Sequence, residues 1–394
     1  MRVLLFTGKG GVGKTTTAVA TAALAAAQGR KALVLSTDPA HSLADALGVP
    51  LGGGPVEVDT GLSALQVDGQ ASFERSWREI QDYLRGLLEW AGVDGLQAEE
   101  LTVLPGAEEV LALLELRRQV DCGRYDLVVV DCAPTGETLR LLSLPAALTW
   151  YVDRVFPAQR RALRAVRPLL SRVGGPSVPQ ESVFDAVERL HRELTAVREL
   201  LTGPDASVRL VLTPEAVVVA EARRTLTSLA LYGYRVDGIV VNRVLPAGDD
   251  PWLSGWVTAQ AAQLALVRAD TAPLPLLVAP YAAAEPVGLA ALTAFGQELY
   301  GDTDPLAAPD GAEQLLRVDR DSDGYLLSLA LPLARLEDLD LARSGDDLVV
   351  TVAGHRRLLA LPSALRRCRV GGARLADARL VVRFEPDPDL WPGA

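Results

Sequence analysis

Cysteine, methionine and histidine are scarce in this chain of 394 residues, which contains three, one and three of them respectively. The cysteines are far apart, at positions 122, 132 and 368, and no CxxC pair occurs. This scarcity excludes a disulfide framework and a zinc site of the CxxC type, and it favours a reducing compartment. The histidines, at positions 41, 191 and 355, are too dispersed to predict a metal site.

The chain also lacks an excess of positive charge and any long uncharged apolar run. Its formal net charge is −11, which argues against general nucleic-acid binding because such binding relies on a basic surface. No transmembrane helix is predicted. No leader is recognised either, because glycines follow the first short apolar run. We therefore expect a cytoplasmic protein without a nucleic-acid partner.

Short apolar runs alternate with longer helical segments up to about residue 300. Most of these runs are continuous rather than alternating, which is typical of parallel strands covered by helices on both faces. The pattern predicts an α/β fold with a doubly wound, mostly parallel sheet. The candidate strands are Val3–Thr7, Ala32–Ser36, Ala64–Val67, Leu127–Val130, Val208–Leu212, Gly238–Val241 and Leu276–Val278. Two segments without strand signals, residues 71–122 and 145–202, predict a helical subdomain near the ligand-binding edge of the sheet.

The character of the sequence changes after this region. A linker rich in Gly, Pro and Asp covers residues 304–315, and it separates a predicted domain at 1–303 from short alternating runs at 316–388. These runs predict an all-β sandwich. Residues 319–324 begin like a calcium-binding loop, but the twelfth position is not Glu, so we predict a hairpin turn at Asp323-Gly324 instead.

The sequence GKGGVGKT at residues 8–15 matches the phosphate-binding pattern GxxxxGK[ST] between a predicted strand and a predicted helix. Glycines allow backbone N–H groups to surround phosphate oxygens, and the following helix N-terminus favours an anion. Lys14 is expected to reach the β- and γ-phosphates, Thr15 to bind Mg²⁺ and Thr16 to contact the α-phosphate. The predicted nucleotide-binding residues of this loop are Gly8, Gly10, Gly11, Val12, Gly13, Lys14, Thr15 and Thr16.

The same loop also matches GxGxxG, the dinucleotide fingerprint, for which Asp38 could serve as the ribose-binding acid. That interpretation is less favoured because a dinucleotide site does not require Lys14 and Thr15. Lys9 needs a separate explanation, since the chain contains only three lysines and two of them lie in this loop.

Two further loops follow predicted strands. Asp38 comes after the second strand and is expected to orient or activate the attacking water. Asp131 ends a later apolar strand of the Walker B type. In the loop that follows it, Pro134 and Gly136 are expected to contact the nucleotide, with the Gly136 N–H near the γ-phosphate. The predicted Mg²⁺-binding residues are Thr15, Asp38 and Asp131.

The segments KGGVGKTT, STDPAHSL, LPGAEEVLAL and DCAPTGETLRLLSLP together resemble the arsenite-pump (ArsA) and tail-anchored-protein targeting (Get) ATPases, over residues 1–300. The first segment is similar to the deviant Walker A signature. The resemblance implies that Lys9 crosses a dimer interface to the phosphates held by the partner subunit. It also implies that Asn242 reads the adenine edge and that Pro280 and Tyr281 line the base pocket. Residues 316–384 resemble a small heat-shock-protein (α-crystallin-like) domain.

These features predict a P-loop ATPase that uses ATP and Mg²⁺ and works as a homodimer, with Lys9, Lys14 and Asp38 as catalytic residues. Its opening and closing would control the binding of a hydrophobic protein client, such as a membrane-protein segment. Two alternatives remain: a chaperone-like holding module with a structural nucleotide, and a subunit of an arsenite pump, which the lack of a thiol cluster disfavours. The basic stretch at 155–172 is either a solvated helix face, a transient membrane contact or the wall of a client groove.

Overall fold

The computed structural model describes residues 1–38, 42–67, 107–136, 138–139, 142–143, 181–307 and 315–390. The predicted basic helix at 155–172, most of the two predicted helical segments and His41 lie outside these residues. None of the helices in the described ranges combines the length and the apolar content that a membrane crossing requires.

An eight-stranded sheet forms the centre of the first 300 residues, with the strand order β3-β4-β2-β5-β1-β6-β7-β8. The strands are β1 (Arg2–Thr7), β2 (Ala32–Ser36), β3 (Val56–Asp59), β4 (Leu62–Gln66), β5 (Leu127–Asp131), β6 (Ala206–Leu212), β7 (Val236–Val244) and β8 (Leu276–Pro280). Every residue of β1, β2, β5 and β6 is buried, so both faces of the central sheet are covered. The predicted α/β class and all seven predicted strands are confirmed.

The edge strand β3 was not predicted from the sequence. It pairs antiparallel with β4, whereas the other pairings in this sheet are parallel. Its four residues, VEVD, are mostly exposed. A short edge strand of this kind lacks the continuous apolar run that marks the buried strands.

Seven helices accompany the large sheet in the described part of the chain. They are α1 (Lys14–Ala27), α2 (Ser42–Leu47), α3 (Ala107–Asp121), α4 (Glu181–Thr202), α5 (Ala216–Tyr232), α6 (Pro251–Thr271) and α7 (Leu289–Tyr300). Helix α1 is rich in alanine and packs closely against β5, β2 and α7. The parallel strands all end at one edge of the sheet, called the carboxyl edge below, and the loops that follow β1, β2 and β5 therefore meet there.

A buried ionic network joins the opposite, amino edge of the sheet. The carboxylate of Asp237 accepts hydrogen bonds from Arg2 at 3.0 Å, from Ser207 at 2.7 Å and from Arg209 at 3.3 Å. The guanidinium of Arg209 also donates to the carbonyl of Pro305 at 2.7 Å. Since β1, β6, β7 and the segment after α7 each contribute a member, this network links elements that are distant in sequence.

The C-terminal part of the described chain is an antiparallel sandwich. A four-stranded sheet has the order β14-β15-β10-β9, and a three-stranded sheet has the order β11-β12-β13. The elements are β9 (Leu316–Asp321), β10 (Gly324–Ala330), β11 (Leu339–Ser344), β12 (Asp347–Val352), β13 (His355–Ala360), α8 (Ser363–Arg366), β14 (Cys368–Ala376) and β15 (Arg379–Pro386). Both sheets contribute buried residues to one core, so the predicted sandwich is confirmed. The exact domain boundaries, 1–303 and 316–388, stay predictions.

The predicted hairpin is present between β9 and β10. Gly324 pairs with Asp321, so the turn consists of Ser322 and Asp323, one residue earlier than predicted.

The sandwich is docked on the C-terminal end of α5. Leu231 of this helix is fully buried within the core of the sandwich. The Thr227 hydroxyl donates to the carbonyl of Pro332 at 2.6 Å, and the buried guanidinium of Arg357 donates to the carbonyl of Leu231. A cation at a helix C-terminus is favoured by the helix dipole and satisfies a carbonyl that has no partner within the helix.

Candidate active site

The glycine loop between β1 and α1 has a backbone that only glycine allows at two positions. A Cβ atom on Gly8 would lie 2.0 Å from the carbonyl oxygen of Val211, so the loop approaches β6 too closely for any side chain. Gly13 has φ +95°, and a Cβ atom there would lie 2.3 Å from Nδ2 of Asn242. These two constraints fix the shape of the loop, as a phosphate cradle requires.

The N-terminal end of α1 suits an anion. The helix begins at Lys14, directly after the glycine loop, and it has no acidic residue in its first turn. Its unpaired N–H groups and its dipole therefore face a region without competing negative side chains on the same turn. The Lys14 ammonium is nearly buried and donates to the carbonyl of Lys9 at 3.3 Å, so the side chain folds back over the loop.

The structure brings Thr15 and Asp131 into direct contact. The Thr15 hydroxyl donates to Oδ2 of Asp131 at 2.8 Å, and it lies 3.1 Å from the hydroxyl of Ser42. The other carboxylate oxygen of Asp131 is buried and has no hydrogen-bond partner among the described residues. A hydroxyl and a carboxylate with a spare oxygen match the oxygen ligands that Mg²⁺ prefers, so these residues fit that ion.

Burial raises the pKa of the Asp131 carboxyl to about 6. The hydrogen bond from Thr15 and the positive charge of Lys14 act in the opposite direction, whereas the negative charge of Asp38 raises the pKa further. A cation bound beside this carboxylate would compensate the cost of its burial, because an opposite charge favours the ionised form.

The Asp38 loop is attached to its neighbours through its backbone. The Asp38 carbonyl accepts a hydrogen bond from Nε2 of Gln66 at 2.8 Å, and its N–H donates to the Ser36 hydroxyl at 3.2 Å. The preceding residue, Thr37, donates its N–H to the carbonyl of Asp131 at 2.9 Å. The loops after β2 and β5 are therefore hydrogen-bonded to each other, which brings both predicted acidic residues to the same edge as Thr15.

Lys9 forms an ion pair with a residue of α5. Its ammonium lies 3.9 Å from a carboxylate oxygen of Glu221 on α5, and the two side chains are 40% and 30% exposed. An ion pair this long and this exposed contributes little to stability. The Lys9 side chain is therefore free to change partners at small energetic cost.

The residues predicted to surround the base lie together. Gly13, Thr16, Asn242, Pro280 and Tyr281 line a cavity of about 360 Å³ beside the glycine loop. The Asn242 side chain is fixed there, since its Nδ2 donates to the carbonyl of Val12 at 2.9 Å and its Oδ1 accepts from the N–H of Arg243. The role of Asn242 in reading adenine stays a prediction.

The loop after β5 places Pro134 half-buried and Gly136 exposed. A Cβ atom on Gly136 would meet nothing within 4 Å, so its backbone is open. Contact of these two residues with the nucleotide stays a prediction.

Three residues of this site were not assigned a role from the sequence. Ser42 contacts Thr15, Gln66 holds the Asp38 loop, and Glu221 pairs with Lys9. Ser42 lies within the STDPAHSL segment, so this motif could have indicated that Ser42 belongs to the site. Gln66 stands in no motif, and only the fold brings it to the carboxyl edge. Glu221 lies within VLTPEAVVVAEARRTLTSL, a segment that also resembles the family, but the resemblance assigned it no role.

The three cysteines do not form a cluster. Cys122 is exposed, whereas Cys132 and Cys368 are buried in different cores. Burial raises the pKa of the Cys132 thiol, which keeps it protonated and weakly nucleophilic. Across the part of the chain that the structure describes, no three His, Cys, Asp or Glu side chains form a metal-binding group. A Mg²⁺ ion in a P-loop site needs fewer protein carboxylates, because the substrate phosphates supply the other ligands.

Comparison with known proteins places these observations in a family. The model of the anion-transporting ATPase (ArsA) family matches residues 1–301, and that of the HSP20-like domain found in ArsA matches residues 322–384. A putative arsenical pump-driving ATPase of Chlorobaculum tepidum is 37% identical over 390 residues, covering 98% of this chain and 96% of its own. An uncharacterised protein of Streptomyces coelicolor is 40% identical over 398 residues, covering 100% and 99%.

A more distant relative is named ATPase ASNA1 homolog, from Cryptosporidium parvum. It is 33% identical over 253 residues, which cover 62% of this chain and 66% of the relative. The family match spans the glycine loop, the Asp38 loop, Asp131 and the base cavity, all of which lie within residues 1–301. The chain therefore belongs to the ArsA ATPase family, carries an ArsA-associated HSP20-like domain after the catalytic region, and is an ATPase.

Proposed function

We propose that the chain hydrolyses ATP as a Mg²⁺-dependent homodimer, in which each protomer supplies Lys9 to the nucleotide held by its partner. The observation that carries this proposal is the divergence of the two loop lysines. Lys14 is 6% exposed and folds back onto its own loop, whereas Lys9 is 40% exposed and lies beside Glu221. Lys14 is thus arranged to act within its own protomer, and Lys9 is accessible to a second molecule.

Different residues of each protomer would bind the phosphates, hold Mg²⁺ and promote the attack of water. The backbone from Gly8 to Thr16 and the ammonium of Lys14 would bind the phosphate oxygens and hold the γ-phosphoryl group in line for attack. Thr15 and Asp131 would hold Mg²⁺, together with Asp38 as a further carboxylate of the site. When bound, Mg²⁺ neutralises charge that develops between the β- and γ-phosphates. Asp38 would orient the attacking water, and Lys9 of the partner would add positive charge to the transferring group.

The hydrogen-bonded loops offer a route from hydrolysis to conformational change. Thr37 donates to the carbonyl of Asp131, and the N–H of Ala133 donates to the Thr37 hydroxyl at 3.4 Å. A displacement of the Asp38 loop on loss of the γ-phosphate would therefore also displace the loop after β5. In this proposal the change continues into the helical segments at 71–122 and 145–202, which bind or release an apolar protein segment.

A subunit-mixing experiment tests whether Lys9 acts in trans. Lys9→Ala and Asp38→Asn are each expected to abolish ATP hydrolysis when present in both subunits. A mixed dimer regains one complete site, because the Lys9→Ala protomer keeps its Asp38 and receives Lys9 from the Asp38→Asn protomer. Random pairing at equal concentrations makes half of the dimers mixed, so the mixture should show about a quarter of wild-type activity. Steady-state ATPase assays of the two variants, alone and mixed, measure this directly.

The control is a mixture of Lys14→Ala with Asp38→Asn. In this proposal Lys14 and Asp38 both serve the nucleotide of their own protomer. This mixture, unlike the first, therefore regains no complete site, because one site lacks Lys14 and the other lacks Asp38. Activity in this control, or none in the Lys9→Ala mixture, contradicts the assignment of Lys9 to the partner.

The proposal also assigns a compartment and a kind of client to the dimer. We place the dimer in the cytoplasm, where the free thiols of Cys122, Cys132 and Cys368 would stay reduced. The client is identified by trapping the ATP-bound state with full-length Asp38→Asn and analysing the co-purifying proteins by mass spectrometry. Enrichment of proteins with long apolar segments, relative to the Lys14→Ala variant, supports a hydrophobic client, and no enrichment contradicts it.

A further inference from the structure

Strand β7 is irregular where it borders the base cavity. Asn242 and Arg243 lie opposite a single residue of β8, Ala279, because the register between the two strands shifts at this point. In a regular strand two consecutive side chains point to opposite faces, whereas Asn242 and Arg243 both line the cavity. The extra residue therefore forms a β-bulge that redirects a side chain, as bulges beside active sites commonly do.

The backbone of Arg243 is left-handed. Its φ is +59°, in a region that residues with a Cβ atom rarely adopt. The side chain is exposed, and no residue in the described part of the chain forms a hydrogen bond or an ion pair with its guanidinium. A conformation of this kind occurs mainly at ligand sites, where the surrounding structure enforces it.

Helix α6 enforces this conformation through Gln260, which is 7% exposed. Its Nε2 donates to the carbonyl of Arg243 at 3.3 Å, and its Oε1 accepts from the N–H of Leu245 at 2.8 Å. The N–H of Arg243 in turn donates to Oδ1 of Asn242 at 2.9 Å. Because both ends of a buried amide bind the bulge, α6 fixes the direction in which the Arg243 side chain leaves the backbone.

The base cavity has little net charge. Of the described residues that line it, only Arg243 and Glu285 are charged, and the others include the rings of Tyr281 and Phe295. Tyr281 is joined to the bulge, since its N–H donates to the carbonyl of Val244 at 2.8 Å. One charge of each sign gives the cavity no net attraction for phosphate. Its size and its partly apolar walls suit the flat, uncharged nucleoside part of a nucleotide.

We infer that Arg243 binds the nucleoside part of ATP, with its planar guanidinium stacked on the base, and that Gln260 is the positioning residue that holds it there. The inference deepens the proposed function, because it rests on the base occupying this cavity. A guanidinium is flat and weakly hydrated, so it stacks on an aromatic face more readily than an ammonium does. The bulge and the left-handed backbone then have a purpose, which is to bring this group to the cavity.

The test uses the full chain with Arg243→Gly. Glycine adopts a φ of +59° without strain, so this variant removes the guanidinium and keeps the bulge. Calorimetric titrations with Mg²⁺ compare three probes: a non-hydrolysable ATP analogue, ADP and inorganic tripolyphosphate. The variant should bind the analogue and ADP each about tenfold more weakly and should bind tripolyphosphate as the wild type does. The matched control is Arg268→Ala, which removes an exposed guanidinium from α6 outside the cavity and should change none of the three affinities.

Gln260→Met tests the positioning role, because methionine has a similar size but offers neither hydrogen bond. It should weaken binding of the analogue and leave tripolyphosphate binding unchanged. The ratio of the two affinities is the readout, since a loss of folded protein would lower the stoichiometry for both probes alike. Gln260→Met combined with Arg243→Gly should bind the analogue as Arg243→Gly alone does, because Gln260 acts through Arg243. A further loss in the combined variant overturns this role.

Arg243→Lys separates the plane of the guanidinium from its charge. Lysine keeps the charge but cannot stack, so this variant should bind the analogue nearly as weakly as Arg243→Gly does. Full affinity in Arg243→Lys overturns the stacking.

The remaining outcomes are distinguishable from one another. Wild-type affinity of Arg243→Gly for the analogue overturns the contact with the nucleoside. An equal loss for tripolyphosphate means that Arg243 acts on the phosphates, which also overturns the inference. A wild-type chain that binds the analogue no more tightly than tripolyphosphate places the base outside the cavity and overturns the inference, but it leaves the proposed role of Lys9 intact. Absence of any analogue binding by the wild type contradicts the proposed function itself.

Discussion

Replacing Asp237 with Asn should destabilise the ATPase region strongly without changing its chemistry. The Asp237 side chain is 1% exposed and lies between the guanidinium groups of Arg2 and Arg209, whose side chains are 9% and 6% exposed. Asn keeps the size of the side chain but removes the negative charge. Two buried cations would then face each other without a compensating anion in the network.

The expected magnitude follows from the burial of this network. Removing one partner of a buried ion pair costs about 3–5 kcal/mol, because the remaining charge cannot return to water. An unfolding entropy of roughly 2.1 cal/mol/K per residue over roughly 300 residues gives about 0.6 kcal/mol per degree. A loss of about 4 kcal/mol should therefore lower the melting temperature by about 6 °C.

Differential scanning calorimetry of the full chain measures this shift. Asp319→Asn is the matched control, since Asp319 pairs with Arg317 at 2.8 Å on the surface, where both side chains are about half exposed. Surface pairs of this kind contribute little, so the control should not shift the melting temperature. Adding Arg2→Met to Asp237→Asn should recover part of the loss, because it removes one of the two uncompensated cations.

The turnover number for ATP should stay unchanged below the transition, because the network lies at the edge opposite to the glycine loop. A shift in Asp237→Asn as small as that of the surface control would refute the reasoning, and so would a shift that Arg2→Met enlarges.

Two other predictions follow from single contacts. Gly13→Ala should weaken ATP binding by at least about tenfold in calorimetric titration, because φ +95° strains any other residue and the new methyl group displaces Asn242. An affinity equal to that of Gly52→Ala, a position outside the glycine loop where a Cβ atom has open space, contradicts this. Leu231→Ala should destabilise the docked sandwich by about 2–5 kcal/mol in chemical denaturation, because it leaves a cavity where a fully buried side chain lies. The control is Val217→Ala, an exposed position on the same helix, and an equal loss of stability in the two variants would contradict the docking.

Much of the ATPase fold was predictable because its strands are buried on both faces. Runs such as Leu127–Val130 are continuous and apolar. The glycine loop and the Asp38 loop follow such runs, and Asp131 ends one of them. Parallel strands bring these loops to one edge, so the pairing of Thr15 with Asp131 was accessible from the sequence. The edge strand β3 was missed because it is short, polar and exposed.

The remaining contacts depend on tertiary packing that leaves no local pattern. Leu231 is one of several apolar residues on α5, and nothing in its spacing indicates that it belongs to the core of another domain. Arg357 resembles the many other arginines of the chain, although it is buried at the end of α5. The exposure of Trp252 and Trp256 on α6 was equally inaccessible, because tryptophan in an apolar helical pattern ordinarily predicts burial.

The attachment of the sandwich to α5 has a consequence for the way the two parts respond to each other. Helix α5 has 17 residues. Near its beginning Glu221 lies beside Lys9, and at its end Leu231 lies within the core of the sandwich. The sandwich is therefore not a tethered appendage that swings independently on its linker. If Lys9 changes partners as proposed, any rotation or sliding of α5 would move the docked β-sheets with it, and each round of hydrolysis would then reorient the sandwich.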